Sequence, residues 1–277
     1  MKVTFATIFL NEAEYIGRNI AQHVDLCDEW IFVEGADRRY PPQHVTADGL
    51  SKDGTAAVIC REASALHAMG HDKITLIKHG WAADKSELRN RYAELCDDGV
   101  VIVFDADEFL TRADLEWLIA RCKSLPTPGS VRIPHVHFWK NRRQIITGGY
   151  YDVPHDRAYR WQRGCRYFEN HNNPCLPDGT ALQSLSYERH ERELMLEPET
   201  GGFAHPKPCW LHMGFAKSDA NVADKNAYYL NRGEAYSRPE TTESRAAFFA
   251  DTLPAGHRTY PWCGKLPEVL EQERAAA

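Results

Sequence analysis

The stretch VVIVFDADEF at residues 100–109 decides the fold. Five apolar residues with a strong preference for strands run without a polar break into the carboxylates Asp105, Asp107 and Glu108. A strand without polar residues is buried on both faces, as in a parallel sheet, and open α/β sheets bind ligands at the carboxyl ends of their strands. On an extended backbone Asp105 and Asp107 would project to the same side about 7 Å apart, where both could face one divalent cation. The stretch therefore predicts a central strand that ends in a metal site for a phosphate-bearing ligand, with solvated acids at a strand end as the alternative.

Strand-like and helix-like segments alternate around this stretch. Apolar runs predict strands at 3–10, 30–33 and 73–77, and helical periodicity predicts helices at 13–24, 55–69 and 84–96. Beyond the central strand, a helix is expected at 113–123 and one strand at 130–138. Strands that alternate with helices of this length form βαβ units. The sequence therefore predicts an α/β fold, with a Rossmann-like, mostly parallel central sheet flanked by helices.

The charge and the distribution of apolar residues bear on whether the protein binds anionic partners or spans a membrane. The 277 residues carry 33 Lys and Arg against 39 Asp and Glu, a net charge of −6 that does not demand an anionic partner. The chain enters a strand pattern at once, and no apolar run approaches the length of about 18 residues that spans a membrane. We therefore expect a cytoplasmic protein without a membrane span.

The eight cysteines form no CxxC pair, so reduced and mostly buried thiols are expected. One alternative is a zinc site that combines Cys209 and His212 with Cys165 and Cys175.

Residues 36–52 interrupt the alternation of strands and helices. They are polar, contain two prolines and show no periodicity. A loop of this length inside a compact domain is usually functional. Because it follows a strand that ends in an acid, we expect it to form a mobile lid over a bound ligand.

Several short motifs occur in a characteristic order: FLNE at 9–12, VEG at 33–35, SKDGT at 51–55, Lys85 with Arg89-Asn90, and DADE at 105–108. In this order the chain resembles GT-A glycosyltransferases of the family-two kind over roughly residues 3–110, including the DxD pattern. It departs from them in the insertion that separates Gly35 from Asp53.

The resemblance implies a donor site for a nucleoside diphosphate sugar, with a UDP-sugar as the expected donor. The residues it assigns to the donor are Asn11, Glu12, Glu34, Asp53, Lys85, Arg89 and Asp105. It also implies that Asp105, Asp107 and His212 hold Mn²⁺ or Mg²⁺. For Lys85 and Arg89 the alternative is an exposed helix face that pairs with neighbouring glutamates.

The segment 132–166 is basic and aromatic, with eight Lys or Arg against two Asp. The resemblance places the acceptor site in this half of the domain, and the acceptor-binding residues predicted are Trp139, Arg142, Arg143, Arg160 and Trp161. Such a surface suits a nucleic acid that carries a hydroxymethylated base, or a saccharide or lipid-linked glycan. An ordinary β-hairpin with solvated basic residues is the alternative.

Transfer with inversion needs a base that removes the proton of the acceptor hydroxyl. Glu169 is the first candidate for this base and His171 is the second. We expect a catalytic domain at 1–215, divided into a nucleotide-sugar half at 1–110 and an acceptor half at 111–215, with a C-terminal helical appendage at 216–277.

Two other functions stay open at the level of sequence. A nucleotidyltransferase shares the fold type but would need a Gly-rich, basic loop after the first strand, where this chain has Asn11-Glu12. A non-catalytic nucleotide-sugar-binding module is the second.

Overall fold

The structure is a computed structural model that describes residues 1–148, 155–168, 173–186, 195–197, 202–204, 208–218, 221–222, 224–225, 227–228 and 258–271. Four α-helices lie in the first half of the chain: α1 (Ile16–His23), α2 (Thr55–Ala68), α3 (Lys85–Ala93) and α4 (Arg112–Ser124), with short 3₁₀ helices at Val24–Leu26 and Pro42–His44. The strands are β1 (Lys2–Phe9), β2 (Glu29–Asp37), β3 (Ile74–Ala82), β4 (Gly99–Val103), β5 (Glu108–Phe109), β6 (Gly129–Arg132), β7 (His135–Trp139), β8 (Gln144–Thr147), β9 (Asp156–Trp161), β10 (Arg166–Tyr167), β11 (Pro174–Cys175), β12 (Gln183–Ser186), β13 (Met195–Glu197), β14 (Gly202–Ala204), β15 (Trp210–Phe215) and β16 (Arg258–Pro261).

A seven-stranded sheet organises the molecule, in the order β12-β6-β9-β4-β1-β2-β3. The strands β3, β2, β1 and β4 are parallel to one another, and β9 runs antiparallel between β4 and β6. Four of the six neighbouring pairs are parallel, because β12 also pairs in parallel with β6. The predicted α/β fold with a mostly parallel central sheet is confirmed.

The central strand β4 is buried along its whole length, as its apolar sequence predicts. Val100 and Ile102 face one hydrophobic cluster with Phe5 and Phe104. Val101 faces the cluster on the opposite side of the sheet. Burial on both faces fixes β4 in the middle of the sheet, so its carboxyl end opens at the centre of one edge.

Helix α3 brings basic side chains to the same edge. It begins after Asp84, whose side chain accepts a hydrogen bond of 3.0 Å from the backbone N–H of Glu87. An aspartate in this position satisfies a free N–H at the start of a helix, as the sequence predicts.

A second sheet of five strands, in the order β16-β8-β7-β15-β5, adjoins the carboxyl end of β4. The single strand predicted at 130–138 is two strands, β6 and β7, which belong to different sheets. The chain leaves the first sheet at Ile133-Pro134, because proline has no N–H to donate to a ladder. This break places β7 and its histidines beside the acidic strand end.

The described residues near the C-terminus pack on the second sheet. Residues 258–261 form strand β16, which pairs antiparallel with β8. Trp262, Leu266 and Leu270 are buried in one cluster with Phe109 and Phe138. The expected appendage therefore contributes a strand to the second sheet. Across the described residues, none of the helices has both the length and the apolar character needed to cross a membrane.

Candidate functional site

A pocket of about 400 Å³ opens at the carboxyl ends of β1, β2 and β4, where the sheet topology predicts a ligand site. Its walls include residues 8–12 at the end of β1, the end of β2 and the turn at 105–108. Described residues between 212 and 228 form another wall: His212, Gly214, Phe215, Lys217, Asn221, Val222, Asp224, Lys225 and Tyr228. Among the described residues, five Lys and Arg side chains line it: Lys85, Arg89, Arg157, Lys217 and Lys225.

Asp107 lies at the bottom of the pocket and is almost completely buried. Its Oδ2 atom is 2.7 Å from Nζ of Lys217 and 3.5 Å from Nζ of Lys225, and its Oδ1 atom is 3.7 Å from Nε2 of His212. Burial alone would raise the pKa of Asp107, but these cationic and imidazole neighbours outweigh it and hold the pKa well below its ordinary value. Lys217 also contacts Glu12 at 2.5 Å.

Asp105 does not share this environment. The strand ends at Val103 and the chain turns over residues 106–107, so Asp105 and Asp107 are not the alternate residues of an extended strand that the sequence suggests. The turn is closed by a 3.0 Å hydrogen bond from the N–H of Glu108 to the carbonyl of Asp105. Asp105 Oδ2 is 2.7 Å from Nη2 of Arg157, and the side chain keeps 36% of its surface exposed.

Arg157 is a buried cation that joins two of the three carboxylates. Its guanidinium contacts Glu108 at 3.1 to 3.3 Å in addition to Asp105. Burial opposes the charge of Arg157, but the two carboxylates outweigh it and raise its pKa. Glu108 therefore holds the turn together, so Asp105 and Asp107 are the two acids of the turn that we consider as ligands for a bound cation.

Arg89 also lies inside the molecule, which excludes the alternative of an exposed helix face for this residue. Its side chain is 2% exposed, and its guanidinium lies 3.9 Å from Asp105 and 5.5 Å from the ring centre of Tyr167. Lys85, one turn earlier on α3, lines the pocket with its Nζ atom 5.3 Å from the ring centre of Tyr228.

Glu34 and Asp53, both predicted to bind the donor, make contacts within the fold and do not line the pocket. Glu34 is buried and accepts a 2.9 Å hydrogen bond from the backbone N–H of Ser51. Asp53 accepts hydrogen bonds from the backbone N–H groups of Ala13 and Thr55 at the start of α2. These hydrogen bonds join β2 and the segment after β1 to the residues around the start of α2.

Asp37 lines the pocket at the end of β2 and was missed in the sequence. The prediction ended the strand at Val33, but β2 passes through an irregularity at Glu34-Gly35 and continues to Asp37. Tyr40, in the insertion, also lines the pocket. A polar, proline-containing segment gives no periodic signal that could have identified either residue.

The insertion is joined to the opposite pocket wall through Asp224. Nδ1 of His44 is 2.7 Å from Asp224, the hydroxyl of Tyr40 donates to the same carboxylate, and Nδ2 of Asn11 donates to it at 3.3 Å. The rings of Tyr40 and Tyr228 stack with centres 5.0 Å apart. These contacts, which we name the Asp224 latch, close one end of the pocket in the structure.

The Asp224 latch leads to a prediction about the insertion. We expect Asp224→Ala to accelerate amide hydrogen exchange in residues 38–48, because it removes the acceptor shared by Tyr40 and His44, and to leave exchange in β4 unchanged. Hydrogen exchange with mass spectrometry measures both regions at once. Asp72→Ala is the matched control, because Asp72 is exposed and its ion pair is with the exposed His67. Equal exchange in 38–48 for wild type and Asp224→Ala would show that the latch does not hold the insertion.

Imidazoles of two neighbouring strands meet beneath the acidic turn. His212 of β15 lies opposite Glu108 of β5 and His137 of β7 in the strand register. The Nδ1 atoms of His137 and His212 are 2.9 Å apart, and Nε2 of His135 is 3.4 Å from Glu108. Burial lowers the pKa of His212 to about 4. At neutral pH His212 is therefore an uncharged imidazole, the form that binds metals.

The donor chemistry of Asp107 and His212 fits a divalent cation. Their separation of 3.7 Å is compatible with two ligands that each lie about 2.1 Å from one ion, and both lysines contact the other oxygen of Asp107. Within the described residues, no group of three or more His, Cys, Asp or Glu is arranged to hold a metal. An ion here would take further ligands from the bound substrate, water or a rotated Asp105.

Cys165 and Cys209, proposed for zinc, lie in separate hydrophobic clusters.

The predicted acceptor-binding residues are mostly engaged inside the protein. Trp139 and Trp161 are 5% and 2% exposed and pack in hydrophobic clusters, because both lie on strands whose other residues are also mostly buried. Arg160 donates to the carbonyl of Leu125, and Arg142 donates to that of Leu270. Arg143 is exposed.

The catalytic candidates Glu169 and His171 lie outside the described residues.

Residues 4–190, more than half of the chain, match the sequence model of glycosyl transferase family 2, so the chain belongs to this family. The resemblance seen in the motifs is thereby confirmed. No protein of curated function matches the chain in sequence.

Solved structures that are similar to this one include the following two. The mannosyltransferase PcManGT from Pyrobaculum calidifontis, solved with GDP-Man and Mn²⁺, is 21% identical over 48% of this chain and 35% of its own, with a TM-score of 0.38. TarS 1–349 from S. aureus, solved with UDP-GlcNAc, is 10% identical over 87% of this chain and 69% of its own, with a TM-score of 0.40. The chain thus spans about a third of the length of PcManGT.

Proposed function

We propose that the protein is a metal-dependent glycosyltransferase that moves a sugar from a nucleoside diphosphate sugar to an acceptor hydroxyl with inversion. The observation that carries the proposal is the grouping of Asp107, His212, Lys217 and Lys225 at the carboxyl end of the central strand, in a chain of glycosyl transferase family 2. Asp107 and His212 would hold Mn²⁺ or Mg²⁺, with Asp105 beside them.

The chemistry follows from the charge on the leaving group. A bound divalent cation would neutralise the diphosphate as the glycosidic bond breaks. Lys217 and Lys225 are held next to Asp107, so they can attract the same phosphate oxygens without a large movement. Fixed positive charge in a buried site stabilises developing negative charge more than it would in water.

The nucleoside would lie at the other end of the pocket, between α3 and the Asp224 latch. Lys85, Arg89, Asp37 and Tyr40 line this end. Aromatic rings and a carboxylate suit a base and a ribose, and the basic side chains suit the diphosphate. We expect a UDP-sugar as donor, and we keep Asn11 and Glu12 as donor contacts because both line the pocket.

For the acceptor, the described residues favour a neutral glycan over a nucleic acid. The aromatic side chains that could stack on bases, Trp139 and Trp161, are buried, and Arg157 neutralises Asp105 and Glu108. Of the eight basic residues in 132–166, Lys140, Arg143, Arg163 and Arg166 are exposed. Glu169 remains our first candidate for the base that activates the acceptor, and His171 the second.

We therefore expect a duplex with hydroxymethylated bases to bind weakly and without dependence on Arg142 and Arg143. Phosphate contacts weaken steeply with salt, so fluorescence anisotropy at low and moderate salt detects them. Wild type and Arg142→Ala/Arg143→Ala should give the same weak signal. Tight binding at low salt that falls with added salt, with a slope reduced by about one or two in the variant, would instead identify a nucleic-acid acceptor.

A further inference from the structure

The strand register places His137 directly beside the proposed metal ligand His212. The two residues are opposite each other on the parallel strands β7 and β15. Their Nδ1 atoms are 2.9 Å apart, and their ring centres are 4.7 Å apart at an angle of 69°. A nitrogen–nitrogen distance of 2.9 Å is that of a hydrogen bond, so one ring donates through Nδ1 and the other accepts.

The direction of this hydrogen bond decides what the far side of His212 can do. A neutral imidazole carries one N–H, so a ring that donates through Nδ1 has an electron pair free on Nε2. Nε2 of His212 is the nitrogen that faces Asp107 Oδ1. If His212 instead accepted at Nδ1, its hydrogen would lie on Nε2 and block that nitrogen as a ligand.

We propose that His137 is a positioning residue that accepts the Nδ1 hydrogen of His212 and so directs the Nε2 electron pair of His212 toward Asp107 and a divalent cation. This inference rests on the proposed metal site. Ligating histidines commonly donate their second N–H to a fixed acceptor, which sets both the tautomer and the orientation of the ring. In this chain the acceptor would be another imidazole, held in place by its strand.

The strand that carries His137 supports a fixed position for the acceptor. His137 is 5% exposed, and its neighbours Val136 and Phe138 are buried in the core. Two residues earlier, His135 lies on the same side of β7, with its ring centre 6.0 Å from that of His137, and its Nε2 faces Glu108. β7 therefore carries two imidazoles under the acidic turn, each directed at a different residue of the site.

The test compares variants of His137 that keep or remove the acceptor. Asn Oδ1 can occupy the position of His Nδ1, so His137→Asn retains an acceptor, whereas His137→Phe retains a ring without one. His137→Leu is a second variant without an acceptor, in case the larger ring impairs folding. His71→Ala, at an exposed residue outside the pocket, controls for the number of histidines.

Mn²⁺ binding is measured directly, by the loss of the electron paramagnetic resonance signal of free Mn²⁺, with and without uridine diphosphate. We expect His137→Phe and His137→Leu to raise the dissociation constant about 10- to 100-fold, and His137→Asn to stay within about 3-fold of wild type. Melting temperatures in EDTA show whether each variant folds without metal. We expect the variants without an acceptor to lose Mn²⁺ affinity even where their melting temperature in EDTA equals that of wild type.

Two results would overturn the inference. If wild type binds Mn²⁺ and all three His137 variants bind it equally well, or equally poorly, the hydrogen bond does not position His212, although the metal site itself survives. If wild type binds no Mn²⁺ even with uridine diphosphate, the metal site of the proposed function fails and the inference fails with it.

Discussion

Asp107→Asn is expected to lower the rate of sugar transfer by about 10³-fold, because it removes the charged oxygen on which the cation and both lysines depend. The buried carboxylate is the shared partner of Lys217, Lys225 and His212. Asparagine has nearly the same volume, so the shape of the site is retained. Initial rates with saturating Mn²⁺ measure the effect.

The structure adds a stability cost to this substitution that the sequence did not suggest. Removing one partner of a buried ion pair destabilises a protein by about 3 kcal/mol or more, since the other charge remains buried. Rates are therefore compared well below the melting temperature of Asp107→Asn. Asp97→Asn, which changes an exposed acid away from the pocket, is the matched control and should keep wild-type activity. If folded Asp107→Asn transfers sugar at the wild-type rate, the Asp107 carboxylate has no role in the reaction.

Arg157→Met should be the most destabilising substitution near the site. It leaves the buried Glu108 and the half-buried Asp105 without the guanidinium that holds both. Loss of such a partner costs about 4 kcal/mol, which corresponds to a fall in melting temperature of roughly 10 °C for a chain of this size. Thermal unfolding followed by circular dichroism measures the shift.

Arg112→Met provides the comparison for this prediction. Arg112 also bridges two acids, Asp25 and Glu116, but all three side chains are more than half exposed, so water replaces the lost contacts. We expect almost no change in melting temperature. If Arg157→Met and Arg112→Met shift the melting temperature equally, the buried position of Arg157 contributes nothing special to stability.

The sequence predicted those parts of the fold that depend on local pattern. The apolar run at 100–104 correctly predicted a buried central strand. Asp84 was correctly predicted to cap the N-terminus of helix α3 with its side chain. The family followed from the order of short motifs. The expectation of a ligand site at the strand ends came instead from the apolar run that ends in three acids. The strand and the helix could be predicted because the periodicity of apolar residues and the capping of a helix both depend on residues that are close together in the sequence.

The features that were missed depend on contacts between distant segments. The turn after Val103 separates Asp105 from Asp107, and each finds its cation elsewhere in the chain, at Arg157 and Lys217. The tryptophans at 139 and 161 look like a binding surface in the sequence, but their strands bury them. The pairing of His137 with His212 arises only when β7 and β15 become neighbours. No local pattern encodes such pairings.

The most direct test of the proposed function is to identify what the protein releases from a nucleotide sugar. Wild type is incubated with UDP- and GDP-sugars and Mn²⁺, and the nucleotides are separated by chromatography. We predict slow release of the nucleoside diphosphate from one donor, lost in EDTA and in Asp107→Asn. Release of pyrophosphate from a nucleoside triphosphate and a sugar phosphate would instead identify a nucleotidyltransferase. Binding of a nucleotide sugar without any turnover, with or without candidate acceptors, would contradict the account and leave a binding module.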